Sequence, residues 1–225
     1  LARADRDVGA WPESDVHSPS SDRRLEAFVV PPSSLADAKA GTCVDAQASL
    51  AALVAGDDAP DGVLNVFERM LRSRVLPRLK ERLIECGALK AGTNSAKTTF
   101  YAQTPPTLRL QPGPSNRYVR PHRDAEYGHQ DGEINFWIPL TDLDVTNVDL
   151  HVESIPDAGD YKPTNAKVGQ AACFHGTSCR HFVPANGTRN ARVSLDFRVG
   201  VEGFFDPEWS MAGTKADHDR RTFAV

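Results

Sequence analysis

Residues 191–199, Ala-Arg-Val-Ser-Leu-Asp-Phe-Arg-Val, alternate apolar and polar side chains without a break. In an extended chain successive side chains point to opposite faces. Val193, Leu195, Phe197 and Val199 therefore share one face, and Arg192, Ser194, Asp196 and Arg198 share the other. The apolar face needs helices to cover it; the polar face looks into an interior. Working outward, other short β-rich runs are set off by Pro, Gly, Asn and Asp: Thr98–Ala102, Thr107–Gln111, Ile134–Leu140, Asp149–Val152 and Ala171–Phe174. Short strands at this spacing predict a sandwich or barrel.

The N-terminal part has a different texture. Between Val63 and Cys86, apolar residues recur at Val63, Phe67, Met70, Leu71, Val75, Leu79 and Leu83, close to the helical period. Pro77 should kink or split this helix, and Gly87 should stop it. Shorter helices are expected over Leu35–Ala40, capped by Ser33-Ser34, and over Val44–Ala55, with a short strand at residues 25–31. Residues 1–24 are polar and broken by Pro, Ser and Asp, and read as an arm. The expectation is a mainly β chain with flanking α: a double-stranded β-helix (jelly-roll) core at about 98–205, buttressed by helices within 33–90, all in one domain over 25–225.

Composition narrows the function classes. The 225 residues carry a formal net charge of -4 in mixed signs. Lys97 and Arg220-Arg221 are isolated basic spots that read as solvated surface, so no nucleic-acid partner is expected. No apolar run approaches the roughly 20 residues needed to span a bilayer, and no signal-peptide pattern opens the chain. It starts at Leu1 without a Met, which leaves room for a longer native N-terminus. Cys43, Cys86, Cys173 and Cys179 are too sparse for a disulfide framework, and Cys173 and Cys179 read as reduced thiols near a strand end. A cytoplasmic setting is expected.

Within Pro121-His122-Arg123-Asp124, strand parity points His122 and Asp124 the same way. A third ligand should come from a later strand, where both His175 and His181 stand. Two His and one carboxylate form the facial triad of non-haem Fe(II) oxygenases, which leaves three coordination positions open. An interior lined by Arg192 and Ser194 is costly unless an anion binds there, and a dicarboxylate suits a bidentate Arg. On Ile134–Leu140, Asn135 and Trp137 share the face expected to look into the pocket. Asn135 is a candidate hydrogen-bond partner of co-substrate or substrate, Trp137 a candidate pocket wall, and Gln111 a candidate co-substrate contact. Glu126, Tyr127, His129 and Glu133 follow the metal motif and are candidates for the substrate side.

Two stretches, HRDAEYGHQDGEINFWIPLTD (122–142) and CRHFVPANGTRNARVSLDFRV (179–199), resemble the Fe(II)/2-oxoglutarate dioxygenase superfamily. Within it the chain looks like the StrG-like branch, near the phytanoyl-CoA hydroxylase group, over about residues 105–200. The resemblance implies that His181 is the distal ligand, because Arg192 follows it at the family's usual interval, with Asn186 at the family's downstream Asn. It implies Fe(II), 2-oxoglutarate as co-substrate gripped by Arg192 and Ser194, and O₂. The implied reaction is hydroxylation of a small polar metabolite with release of succinate and CO₂. Asp124 speaks against a halogenase, which lacks that carboxylate. Two alternatives stand beside it: a jelly-roll binding module with a vestigial metal site, and a cupin-type metalloenzyme that does not use 2-oxoglutarate.

Overall fold

The computed structural model describes residues 25–27, 52, 54–90, 97–116, 118–209 and 219–225. The arm at 1–24, the helix at Leu35–Ala40 and most of Val44–Ala55 lie outside these residues. Of the strand expected at 25–31, the described part, Leu25–Ala27, is a 3₁₀ turn instead.

The long amphipathic helix is present in three pieces: α1 (Val63–Met70), a wide π turn (Leu71–Val75) and α2 (Leu76–Glu85). Pro77 falls in the first turn of α2. Its ring would crowd the carbonyl of Ser73 in a regular helix, and the π turn that contains Ser73 relieves this. So the proline reshapes the helix without ending it, and Gly87 follows in the left-handed region at φ 79°.

Among the described residues ten strands follow: β1 (Thr99–Gln103), β2 (Thr107–Gln111), β3 (Val119–His122), β4 (Glu133–Pro139), β5 (His151–Val152), β6 (Lys162–Pro163), β7 (Ala172–Phe174), β8 (His181–Val183), β9 (Arg192–Val201) and β10 (Arg220–Ala224). A one-turn helix, α3 (Leu143–Thr146), lies between β4 and β5 and is capped by the Asp142 carboxylate, which accepts from Asp144 N at 3.0 Å. All pairings are antiparallel and fall into two sheets. The larger runs β10-β1-β9-β4-β7 with β2 also on β9; the smaller runs β3-β8-β5-β6. This is the mainly β, jelly-roll-like architecture with a helical buttress.

β9 is the spine. β2 pairs with its first half and β1 with its second, while β4 runs along its other edge. Its apolar face does what the alternation predicts. Phe197, Val199 and Val201 join Phe100, Ala102, Phe136, Ile138 and Phe223 against Phe67, Leu71, Leu76 and Leu79 of the helices. Phe197 is held between the Phe67 edge, 4.9 Å between centroids, and the stacked Phe136 ring at 5.1 Å. Val193 packs with Val54 and Leu108 in an adjoining cluster. On the inner face, Trp137 meets Val183 of the smaller sheet with Val148, Leu150 and Ala166, which closes one end of the sandwich.

β10 was not legible as a strand, and the solvated-surface expectation fails for its first residue, while Arg221 is exposed as expected. Arg220 is not solvated surface: its guanidinium bonds Glu133, whose side chain is fully buried. Strand pairing to β1 carries it inward, which residue type alone does not reveal.

Candidate metal centre

Two elements of the smaller sheet and one turn bring the proposed ligands together. His122 ends β3 and His181 begins β8, and the two are register partners. β3 gains one residue between Val119 and His122 relative to β8, a bulge that contains Pro121. A bulge re-aims the side chain that follows it, and a proline fits where no ladder N–H is required. The strand ends at His122. Arg123 stays extended (φ −104°, ψ 147°), and Asp124 opens a 3₁₀ turn to Tyr127. The two-residue parity thus survives although Asp124 lies beyond the strand.

The ligand atoms of His122, Asp124 and His181 all lie within 4.8 Å of one another, a set able to hold a metal ion. Asp124 Oδ1 is 3.8 Å from His122 Nε2 and 3.7 Å from His181 Nε2. An ion with bonds of about 2.1 Å sets neighbouring ligands about 3 Å apart, so the two Asp124–histidine distances need to close by under about 1 Å to seat one. Both rings are oriented from behind: His122 Nδ1 lies 2.8 Å from Arg120 O, and His181 Nδ1 lies 3.2 Å from Cys179 O. A proton on Nδ1 leaves the Nε2 lone pair free to ligate a metal.

The electrostatics suit a cation. Burial alone would raise the Asp124 pKa, but the charge and hydrogen bond of Arg198, then His181 and Asn135, hold it well below the usual carboxylate range. Burial lowers His181 against the opposing pull of Asp124, which favours the neutral, ligating imidazole. His175 is elsewhere, with its Nε2 2.7 Å from Asp131 O.

Arg192 and Ser194 lie on the inner face as predicted, 3 % and 0 % exposed. Asp196, a plausible structural partner for Arg192, instead accepts from Arg109 Nε at 2.7 Å and Nη2 at 3.1 Å. Arg192 Nε and Nη2 and Ser194 Oγ are buried without a hydrogen-bond partner among the described residues. The Arg192 guanidinium lies over the Trp137 ring, 5.3 Å from its centroid. Trp137 itself is buried, with its indole N–H unpartnered.

The other expected residues are placed as follows. Asn135 is buried at the centre, but its amide Nδ2 donates to Asp124 Oδ2 at 2.6 Å. Gln111 donates to Pro184 O at 2.7 Å. Asn186 is fully buried and clamps the loop into β9, donating to Gln111 O and Asn190 O. Tyr127 is exposed, with its ring edge-on to His122 at 5.3 Å between centroids. Glu126 accepts from Arg123 N at 3.0 Å and so closes the turn. His129 and Glu133 are buried and bonded to each other at 2.7 Å, with Arg220 on the second Glu133 oxygen. Sequence reasoning missed Arg198: its Nε donates to Asp124 Oδ2 at 2.9 Å, and its Nη1 donates to Gln103 Oε1 at 3.3 Å. The β9 alternation already placed it on the inner face, but nothing in it named a partner.

Among known proteins, the streptomycin biosynthesis protein StrG of Streptomyces griseus is 33% identical over 107 residues, 48% of this chain and 50% of StrG. The chain thus spans about half the length of this curated relative. No family model matches the chain. Solved structures with partial overlap include the non-haem α-ketoglutarate-dependent epimerase SnoN from nogalamycin biosynthesis (16% identity, 69% of this chain and 68% of SnoN, TM-score 0.45). A Pseudomonas putida prolyl-4-hydroxylase overlaps at 15% identity over 65% of this chain and 70% of its own (TM-score 0.43). AviO1 of Streptomyces viridochromogenes Tue57 overlaps at 17% identity over 70% of this chain and 66% of its own (TM-score 0.42).

Proposed function

We propose that this chain is a non-haem Fe(II)- and 2-oxoglutarate-dependent oxygenase of the StrG-like branch, near the phytanoyl-CoA hydroxylases, acting as a hydroxylase on a small polar metabolite. The observation that carries it is the presence, beside a His-Asp-His cluster, of buried guanidinium nitrogens and a hydroxyl that have no hydrogen-bond partner among the described residues. Buried polar groups without partners are rare in native proteins and point to a missing ligand. The unpartnered set here is cationic and hydrogen-bond-donating, which fits a carboxylate.

His122, Asp124 and His181 hold the metal. Arg192 and Ser194 take the far carboxylate of the co-substrate, and Trp137 forms the wall beneath the guanidinium. Asn135 serves the metal ligand rather than the co-substrate. When bound, iron with 2-oxoglutarate and O₂ supplies C–H oxidation, with succinate and CO₂ released. The chain's part is to orient these groups and exclude water, which the closed Trp137–Val183 end of the sandwich favours. Tyr127 and Glu126, exposed beside His122, are the substrate-side candidates. The name of the matched relative, a streptomycin biosynthesis protein, supports a small polar substrate. Among the described residues no helix is long and apolar enough to cross a membrane. Residues 25–225 are proposed to act as one domain in the cytoplasm, without a nucleic-acid or membrane partner.

Anaerobic addition of Fe(II) and then 2-oxoglutarate tests the proposal. A weak visible charge-transfer band is expected, followed in air by slow succinate release without added substrate. Metal uptake without the band would favour a cupin-type site, and a band without succinate a vestigial module.

A further inference from the structure

Asp124 uses its two oxygens differently. Oδ1 alone faces both imidazoles, at 3.7 and 3.8 Å. Oδ2 is turned away and takes two donors, Asn135 Nδ2 at 2.6 Å and Arg198 Nε at 2.9 Å. Both donors are themselves held. Asn135 Oδ1 accepts from Gly176 N at 3.2 Å, and Asp124 N donates to Gly176 O at 2.9 Å. Arg198 Nη1 donates to Gln103, whose Nε2 donates to Thr107 Oγ1 at 3.1 Å. Gln103, Asp124 and Asn135 are buried. Asn135 and Arg198 are register partners on adjacent strands, so the pleat fixes their spacing.

We infer that Arg198 and Asn135 are a positioning pair that confines Asp124 to one-oxygen coordination. This rests on His122, Asp124 and His181 being the metal centre. A carboxylate whose second oxygen already accepts two strong hydrogen bonds does not swing to offer both oxygens to an ion. One-oxygen binding keeps three positions open for a bidentate co-substrate and O₂, whereas a two-oxygen carboxylate would close one. Arg198 also offsets the ligand's charge inside the sandwich: two neutral imidazoles, one carboxylate and one guanidinium sum to zero. The ion then presents its whole charge to a dianionic co-substrate. Gly176 belongs to the same device. A Cβ there would stand 2.6 Å from Asn135 Nδ2 and 2.7 Å from its Cγ, so only glycine leaves the amide in place.

Co(II) titration of the full, metal-stripped chain tests this without turnover, because the visible bands of Co(II) report its coordination geometry. Wild type and Asp124→Ala come first. If wild type takes up no Co(II), or Asp124→Ala takes it up equally well, the metal centre itself is misassigned. Given Asp124-dependent binding, Arg198→Met is expected to weaken Co(II) by about 10–100-fold, the usual effect of losing a partner that orients a ligand, and to alter the band. Arg198→Lys keeps a cation beside Oδ2 and should lose less. Gly176→Ala displaces the Asn135 amide with every charge intact and should alter the band on its own. Wild-type affinity and band in all three variants would overturn the positioning role, as would a lower melting temperature with an unchanged band. If Arg198→Met does not fold, Arg198→Lys and Gly176→Ala decide.

Discussion

Three arginines on the inner face of the larger sheet have three different fates. Arg109 is spent on Asp196, Arg198 on Asp124 and Gln103, and Arg192 keeps unpartnered donors at 3 % exposure. Burial pushes Arg192 down to about 10, which leaves it charged at neutral pH. Losing the arginine that pairs a buried carboxylate costs roughly 2–5 kcal/mol. Arg192→Ala should therefore raise the 2-oxoglutarate KM by roughly 30-fold or more, at about 1.4 kcal/mol per tenfold, with iron affinity little changed. Titration of 2-oxoglutarate into the iron-loaded variant checks this, and unchanged affinity in a folded protein would remove Arg192 from the site. Arg192 was legible because a guanidinium on the polar side of a regular alternation demands an explanation. The role of Arg198 was not, since its partner is 74 residues away in sequence.

At the scale of elements, Phe67 of α1 against Phe197 of β9 is the aromatic contact within the apolar seam that ties the helical buttress to the sheet. Both are almost fully buried. Phe67→Ala removes that edge and leaves a cavity, and should cost about 3–5 kcal/mol in urea unfolding; a loss under about 1 kcal/mol would mean the helix is dispensable to the core. A separate polar tie joins β4 to β10 within the sheet. Glu133 of β4 holds His129 on one oxygen and Arg220 of β10 on the other. Burial would raise the Glu133 pKa, but the His129 hydrogen bond and the Arg220 charge hold it down. Removing one member of a buried pair costs about 3–5 kcal/mol, so Glu133→Gln should lower the free energy of urea unfolding by a comparable amount. Wild-type stability would show that β10 is held by its strand pairing alone. The 3.6-residue period announced α1 and α2 because it persists over more than twenty residues. β6 and β8, of two and three residues, carry no period to find, while β5 falls inside the run expected at Asp149–Val152.

For the whole molecule, metal binding and pH act through the same residues. An ion that binds only the folded chain stabilises it by about 2.7 kcal/mol at a hundredfold excess over Kd. A chelator should therefore lower the Tm of the loaded protein and leave Asp124→Ala unmoved; equal shifts in both would place the ion elsewhere. In the metal-free chain, His181, Asp124 and Glu133 all titrate lower in the fold than their ordinary values. A depressed histidine costs stability as pH falls below its ordinary value of 6.5, because the unfolded chain takes up the proton first. Depressed carboxylates contribute stability above about pH 4 and lose it as pH falls further. Both signs predict acid destabilisation, and His181 contributes to the fall around and below its ordinary value of 6.5. Chelator-treated His181→Gln should then lose less Tm than wild type as pH falls through that value, and an equal loss would assign the fall to another group. By itself the sequence determined the jelly-roll class, the helix–sheet face of β9, and the candidates His122, Asp124 and Arg192, because period and parity are local properties of a chain. Only the tertiary structure brought His181, which the family resemblance had implied over His175, beside Asp124, set Asn135 and Arg198 on Asp124, and turned the partly buried Arg220 onto Glu133. Those choices depend on which strands lie side by side, and pairing between distant segments is set by the packing of the whole core.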